Sequence, residues 1–424
     1  MKKVGIAILG LGVVGGGTYK ILTTHREFYQ KTQDVDLVVE SVLEPSKEKI
    51  SVLGIERERV ATNITEIVSN PEVNIVVECI GGTEVAREFV LKALYAGKTV
   101  VTSNKVLYSK YSHELEKAAK RHNAGLHFEA SCMGGVPIIR SLLDGVQANV
   151  ITSMMGIVNG TTNYILSKMS AENASYEEVL KEAQKLGYAE ANPEADVEGW
   201  DAAYKLSILS SIAFHTKVPV PKVFREGITA VSNKDIEGGK ALGYCLKLLA
   251  IGKQSEEGIE VRVHPTLIPE NHPLASVNGS FNAMFLTGDS VGEVMLYGKG
   301  AGDLPTGSAI VSDIIFEATH NDHKYSTFKN SATAERGVKF VSNFKSAYYL
   351  RLSIENEKNV LSKVVSILDK YGVSIFNMHR KQESDRETLN LITNKTCESA
   401  IRGAVAKINA TELTKVESVL RVVL

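Results

Sequence analysis

Val4 to Leu9 (VGIAIL) is a short, continuously apolar run, the pattern of a buried parallel strand, and the glycines from Gly10 to Gly17 separate it from a helical stretch, Thr18 to Gln30. Further strands are predicted at Asp36 to Leu43, Val73 to Ile80 and Thr99 to Thr102, with helix-like segments at Glu84 to Ala96 and Tyr111 to Arg121. Strands alternating with helices imply an α/β, doubly wound (Rossmann) parallel sheet covered on both faces. Such a sheet takes its ligands outside the carboxyl ends of the strands.

From about Leu126 the rhythm changes. Gly-rich turns, beta-like runs such as Ile151 to Val158 and Glu260 to Val263, and long helices around Tyr176 to Leu186 and Asp201 to Phe214 predict a mixed α+β second domain. His320 to Lys345 is polar and without period, and reads as a linker. The last stretch has a ferredoxin-like beta-alpha-beta-beta-alpha-beta order: Tyr348 to Ile354, helix Val360 to Tyr371, Val373 to His379, Thr388 to Thr393, helix Ser399 to Ile408, and Val416 to Leu424. The expected division is 1–128, 129–319, a linker 320–346, and a small domain 347–424.

The chain has 424 residues, 44% hydrophobic and 23% charged, with a net charge of -1. These values exclude disordered and collagen-like chains and leave no global field to attract nucleic acid or anionic lipid. The four cysteines lie more than fifty residues apart, without zinc or disulfide spacing, which points to a reducing cytoplasm. Met1-Lys2-Lys3 before Val4 to Val14 imitates a signal peptide, but its glycines spoil the helical core and no small-x-small cleavage site follows, so the segment is expected in the mature protein. No apolar stretch reaches the ~18 residues of a membrane span.

Gly10-Leu11-Gly12-Val13-Val14-Gly15 is a GxGxxG sequence between strand and helix. The first glycine permits the turn, the second lets a pyrophosphate approach the backbone, and the third lets helix and strand pack, so the loop is expected to bind a dinucleotide. Glu44 closes the second strand where an acid would bind an NAD ribose, while Ser46, Lys47 and Lys49 could hold the 2'-phosphate of NADP; both readings stand beside that of a solvated turn. Ile80-Gly81-Gly82-Thr83 and Thr102-Ser103-Asn104-Lys105 follow later strands on the same edge, where Lys105 is either a solvated lysine or a contact to the cofactor or a carbonyl.

Glu190, Asp196, Asp201 and Lys205 cluster within GYAEANPEADVEGWDAAYKLSIL. Asp201 and Lys205 are four apart on one helix face, either as an ion pair or, given their apolar neighbours, as a lysine that exchanges a proton with an alcohol or aldehyde oxygen. Glu129 to Pro137 joins an acid to a Gly-rich turn whose carbonyls, with Glu129, could bind a hard cation; Cys132 within it is either a small buried residue or a nucleophile. Asn159 to Asn163 precede a helix from Tyr164 and either cap it or hold an anionic substrate group.

On these residues the sequence resembles the homoserine dehydrogenase family, in its long monofunctional bacterial form with a C-terminal ACT domain, over essentially the whole chain. The matching stretches are LGLGVVGGG, TSNK at Thr102 to Lys105, EASCMGGVPI at Glu129 to Ile138, MGIVNGTTNYIL at Met155 to Leu166, LGYAEANPEADVEGWDAAYK at Leu186 to Lys205, and YGKGAGDLPTGSAIVSDI at Tyr297 to Ile314. The resemblance implies interconversion of L-homoserine and L-aspartate 4-semialdehyde with NADP or NAD, on the route to threonine, methionine and isoleucine. It implies Lys205 as proton donor and Lys105 as second catalytic lysine, with Glu190 and Asp201 holding the substrate and Asp196 assisting. Coenzyme contacts are implied at Gly10, Gly12, Val13, Val14, Gly15, Ser103, Lys105, Gly187 and Gly302, and a structural sodium site at Glu129 and the carbonyls of Cys132, Gly134 and Val136. A homodimer or homotetramer and a threonine effector are further implications.

Three departures stand out: Ser103 where the family usually carries alanine, Cys132 where it carries valine, and Glu44 where a basic residue suited to NADP is common. In the tail, Glu357-Lys358-Asn359 replaces the glycine turn of many ACT domains. Two other functions are carried as alternatives. One is an aldehyde dehydrogenase in which Cys132 attacks the aldehyde; the other is a non-catalytic NAD(P) and amino-acid sensor.

Overall fold

The computed structural model describes residues 1–320, 337–355, 360–382, 386–411 and 414–424. Residues 321–336 of the expected linker, and the Glu357-Lys358-Asn359 turn, lie outside the described residues. The chain forms two compact units, one from Met1–Met154, Tyr204–Lys222 and Asn282–Val338, the other from Met155–Ala203, Val223–Phe281 and Lys339–Leu424.

In the first unit β1 (Lys2–Leu9), β2 (Val35–Leu43), β3 (Ile75–Glu78), β4 (Thr99–Thr102) and β5 (Leu126–His127) form a sheet of order β2-β1-β3-β4-β5 with every pair parallel. β3 and β4 are buried at every position, which is why their sequences are apolar runs rather than alternations. The expected helix after the glycines is two helices, Val13–Thr24 and Arg26–Gln33, broken at His25. Arg26 and Gln30 of the second reach back to Asp36 of β2. The helix expected from Tyr111 begins at Lys105, because the Asn104 side chain accepts from the Leu107 amide and caps it.

The helix Asp303–Thr319 packs on Val13–Thr24 in this unit. The approach needs glycine: a Cβ on Gly17 would lie 2.3 Å from the Asp303 carbonyl oxygen. Ile310, Ile314 and Ala318 thereby enter one core with Val4, Ile6 and Ile8 of β1.

The remaining strands are β6 (Ile151–Ile157), β7 (Phe224–Arg225), β8 (Tyr244–Ser255), β9 (Gly258–Pro269), β10 (Phe281–Gly288), β11 (Gly292–Lys299), β12 (Lys345–Glu355), β13 (Ile375–Gln382), β14 (Arg386–Thr393), β15 (Thr396–Cys397) and β16 (Thr414–Val422). β6 neighbours β10, and β10 neighbours β11. In the second unit the order is β8-β9-β16-β12-β14-β13, with β7 beside β9 and β15 beside β12. β12 to β16, with helices Val360–Lys370 and Glu398–Asn409, follow the expected strand-helix order with one addition, the two-residue β15 before the second helix, and the antiparallel arrangement β16-β12-β14-β13 is ferredoxin-like.

The tail sheet continues into its neighbour, since β16 pairs in parallel with β9 at Arg421↔Thr266 and Val422↔Leu267. Arg421 adds ion pairs to Glu226 and, at 2.7 Å, to Glu398. Residues just before β12 join as well, with a parallel bridge from Phe340 to Ile259.

Candidate active site

The glycine loop is built as its spacing predicts. Gly10 has φ +86 and a Cβ there would meet the Cys79 carbonyl oxygen at 2.9 Å, while a Cβ on Gly15 would lie 1.9 Å from the Gly10 oxygen. Gly12 faces open space, so a ligand can reach its backbone at the start of the helix Val13–Thr24. Val13 is exposed on the first turn and Val14 half-buried.

Glu44 is buried against this loop. Its carboxylate accepts from the Leu11 amide at 2.7 Å and the Ser46 amide at 2.9 Å, with the Lys49 ammonium at 3.5 Å. Burial alone would raise its pKa, but those amides and the ammonium hold the carboxyl below its usual range. Glu44 therefore ties the end of β2 to the inside of the GxGxxG turn, and Lys47 and Lys49 stand exposed beside it.

The ends of β3 and β4 lie on the same edge of the parallel sheet. Glu78, fully buried, accepts from Ile80 and Gly81 amides and from the Thr102 hydroxyl at 2.5 Å, and burial pushes its carboxyl up. Thr102 in turn accepts from the Asn104 amide, and the Asn104 side chain donates to Gly82 O at 2.7 Å. This network sets the backbone of Ser103 and starts the helix at Lys105, which is half-buried. Gly302, φ +123, opens the helix Asp303–Thr319 that packs against the glycine-loop helix.

The acid cluster of the second unit is organised by Asn159. Its amide nitrogen donates to Asp196 at 2.7 Å and to Asp201 at 2.9 Å, while its oxygen accepts from the Thr162 amide at 2.8 Å. One side chain thus both caps the helix Gly160–Glu172 and holds two carboxylates side by side. Gly187, φ +78, ends the helix Tyr176–Lys185 by letting Tyr188 N reach Ala183 O at 2.8 Å. In the loop that follows, the Glu190 carbonyl accepts from Gln184 and its side chain is exposed. Asp201 and Lys205 are both buried, one turn apart on the helix Trp200–Ala213.

Glu129 uses its carboxylate on the amides of Ile139 at 3.0 Å and Arg140 at 2.6 Å, and burial, with Asp313 beside it, pushes its carboxyl up to about 8. Met133 and Gly134, both at positive φ, turn the buried loop that carries the carbonyls of Cys132, Gly134 and Val136. Among the described residues no cluster of three or more His, Cys, Asp or Glu side chains has the arrangement to hold a metal. Cys132 is fully buried, its thiol against the Ser131 hydroxyl and the Lys205 carbonyl oxygen, and the imidazole of His127 is taken by Glu317 at 2.9 Å. A thiol so buried lacks the solvent access of a reactive cysteine.

Glu78 and Asn159 carry more of the site than their sequence context suggested. Glu78 is a single acid inside the apolar run VNIVVECI, a signal that was visible, whereas the grip of Asn159 on Asp196 and Asp201 joins positions far apart in the chain. Among the described residues no helix is long and apolar enough to cross a membrane.

The family model for homoserine dehydrogenase matches residues 137–315, and that for the homoserine dehydrogenase NAD-binding domain matches residues 10–129. The homoserine dehydrogenase of Bacillus subtilis is 38% identical over 429 residues, covering 100% of this chain and 99% of its own. The crystal structure of a homoserine dehydrogenase from Thiobacillus denitrificans superposes with a TM-score of 0.93 at 39% identity, over 100% of this chain and 99% of the other. A hyperthermophilic archaeal homoserine dehydrogenase in complex with NADPH superposes with a TM-score of 0.64 at 29% identity, over 76% of this chain and 100% of its own. With the glycine loop, the acid cluster and both matched domains in one chain, this protein belongs to the homoserine dehydrogenase family of oxidoreductases.

Proposed function

We propose that this chain interconverts L-homoserine and L-aspartate 4-semialdehyde with NADP or NAD, in threonine, methionine and isoleucine biosynthesis. The observation that carries the reading is the pair Asp196 and Asp201 held by Asn159, with Lys205 one turn further along the helix from Asp201. Paired carboxylates suit a substrate that bears an ammonium beside a hydroxyl, and the lysine suits the oxygen that gains or loses a proton. Glu190 and Asp201 hold the amino group and hydroxyl, and Asp196 assists through the shared amide. In the reducing direction Lys205 donates its proton to the aldehyde oxygen and its charge neutralises the developing alkoxide, with Lys105 as the second catalytic lysine.

Gly10, Gly12, Val13, Val14 and Gly15, with Ser103, Lys105, Gly187 and Gly302, would hold the coenzyme, whose nicotinamide supplies or accepts hydride when bound. The open approach to Gly12 fits a pyrophosphate. The NADPH of the archaeal relative and the exposed Lys47 and Lys49 favour NADP, while Glu44 is the acid an NAD ribose would meet.

A sodium ion at this loop would be held by Glu129 and the carbonyls of Cys132, Gly134 and Val136, the Glu129 carboxylate keeping acceptor capacity beyond the two amides it serves. Oxygen ligands suit a hard cation. We assign the protein to the cytoplasm as a homodimer or homotetramer, with residues 347–424 as an ACT-like domain that takes threonine.

The deciding experiment offers the purified chain fresh aspartate semialdehyde with NADPH or NADH and follows absorbance loss. Oxidation of neither coenzyme would refute the assignment. A Cys132→Ser variant that lost all turnover would point instead to aldehyde oxidation through a thiohemiacetal, and sedimentation as monomer alone at micromolar concentration would refute the assembly.

A further inference from the structure

Away from the acid cluster, the second unit contains a cavity of about 540 Å³ between the stretch Tyr164 to Glu172 of the helix Gly160–Glu172, the start of β8, and the turn Ala275 to Gly279. That is within the range of cavities that hold small organic molecules. Lys247 of β8 lines it with only 2% of its surface exposed. The Lys247 ammonium donates to Val277 O at 2.6 Å and to Asn278 Oδ1 at 2.8 Å, which leaves one of its three donors.

Both of those partners are neutral, and among the described residues no carboxylate pairs with Lys247. Burial without a counter-charge pushes its pKa down to about 8. Lys240, at the same cavity, donates to Ser170 O and likewise has no carboxylate partner among the described residues. The lining also carries Lys168 and Glu172, 3.6 Å apart, whose charges offset each other, so Lys247 and Lys240 with their neutral partners leave the cavity net positive, a place where an anion gains more than a neutral molecule does. The walls also include Leu246 and Ala275, which suit an apolar body behind a small anionic head.

We propose that this cavity binds a small organic carboxylate, its anionic head on Lys247 and Lys240 and its body against Leu246 and Ala275. The proposal is independent of the hydride-transfer reading, because none of these residues belongs to the glycine loop or the acid cluster.

The test is thermal melting of the full chain in sodium butyrate against sodium chloride at equal sodium concentration and ionic strength, with sodium phosphate as a third arm. A ligand that binds only the folded state raises the melting temperature in a saturable way. Butyrate is expected to give that saturable rise and chloride none. Lys247→Met should abolish it, and Ala275→Leu, which narrows the cavity without touching the lysines, should weaken the apparent affinity tenfold or more. If Lys247→Met fails to fold, Ala275→Leu decides. No excess over chloride, an unchanged butyrate response in the variant or variants that fold, or a saturable response to phosphate alone would each overturn the assignment.

Discussion

The Arg225 guanidinium lies over the Trp200 indole, 3.8 Å from the ring centroid, and donates to the Glu198 carbonyl oxygen, so it grips the residues on both sides of Gly199. Trp200 begins the helix that carries Asp201 and Lys205. Trp200 is exposed and Arg225 half-buried, so losing this cation–π contact costs about 0.5–1 kcal/mol, or roughly twofold to fivefold. Arg225→Met is therefore expected to raise KM for homoserine by about threefold with kcat changed less than about twofold, and Arg225→Lys to restore little, because lysine lacks the planar face. An unchanged KM would show that the helix start holds its position without the stack.

Asn159 has two jobs that two substitutions can separate. Asn159→Ser keeps an oxygen to cap Thr162, but a hydroxyl is too short and has too few donors to hold both Asp196 and Asp201. Serine caps nearly as well as asparagine, so the melting temperature should stay within about 2 °C. We expect kcat/KM to fall about a hundredfold, the scale at which misplaced catalytic groups act. If Asn159→Ser kept full activity, the bridge would be packing only.

Lys205→Ala is expected to lower kcat by about a hundredfold or more, as for loss of a positioned acid, with coenzyme dissociation constants by fluorescence titration within about twofold. Lys205→Arg retains the charge but gives up its proton far less readily, so it should not restore kcat. Equal weakening of coenzyme binding in both variants would mean that the residue serves the cofactor instead.

The parts of this fold that read directly from sequence are those whose physics is local. β1 to β4 appear as apolar runs because both faces of the sheet are covered, and the GxGxxG turn announces itself because its glycines sit at fixed offsets between one strand and one helix, Gly15 answering the Gly10 carbonyl within that unit. β5, Leu126–His127, is too short to show a pattern. Charged residues inside apolar strands, such as Lys247 and Arg421, were visible as letters, but their partners are not neighbours: Lys247 meets Val277 and Asn278, 30 and 31 positions away, and Arg421 meets Glu226, 195 positions away. The same holds for the site. Glu44 was legible as the acid at the end of β2, whereas its bond to the Leu11 amide depends on how the loop folds back.

That bond changes what a substitution at Glu44 should do. Arginine there would supply a partner for a 2'-phosphate, yet it would remove the acceptor of the Leu11 and Ser46 amides and leave a buried donor unsatisfied, at a cost of about 1–3 kcal/mol. Glu44→Arg is thus expected to shift the NADP to NAD ratio of kcat/KM upward while weakening both coenzymes about tenfold. Glu44→Gln, which keeps one acceptor, should weaken both less and leave the ratio near its starting value. A ratio unmoved by Glu44→Arg would place Glu44 away from the ribose.

The junction of the tail with β9 gives a pH prediction of definite sign. Glu398 is buried, which alone would raise its pKa, but Arg421 at 2.7 Å, the Tyr348 hydroxyl at 2.7 Å and Arg402 at 3.0 Å bring it below the usual carboxylate range. A carboxyl whose folded pKa is lowered contributes stability above its ordinary pKa of about 4.3, and that contribution is lost as pH falls through the lower folded value. Glu398→Gln should therefore melt several degrees below the parent near neutral pH, and the gap should close as pH is taken from about 6 to about 3. The same ion pairs make deletion of residues 347–424 a blunter test, because it would strip β9 of its neighbour β16 and leave Glu226 and Asp235 without Arg421 and Arg351. Should the melting gap stay constant across that acid range, Glu398 would act through packing and neutral hydrogen bonds, and the tail would owe its attachment to the strand pairing rather than to charge.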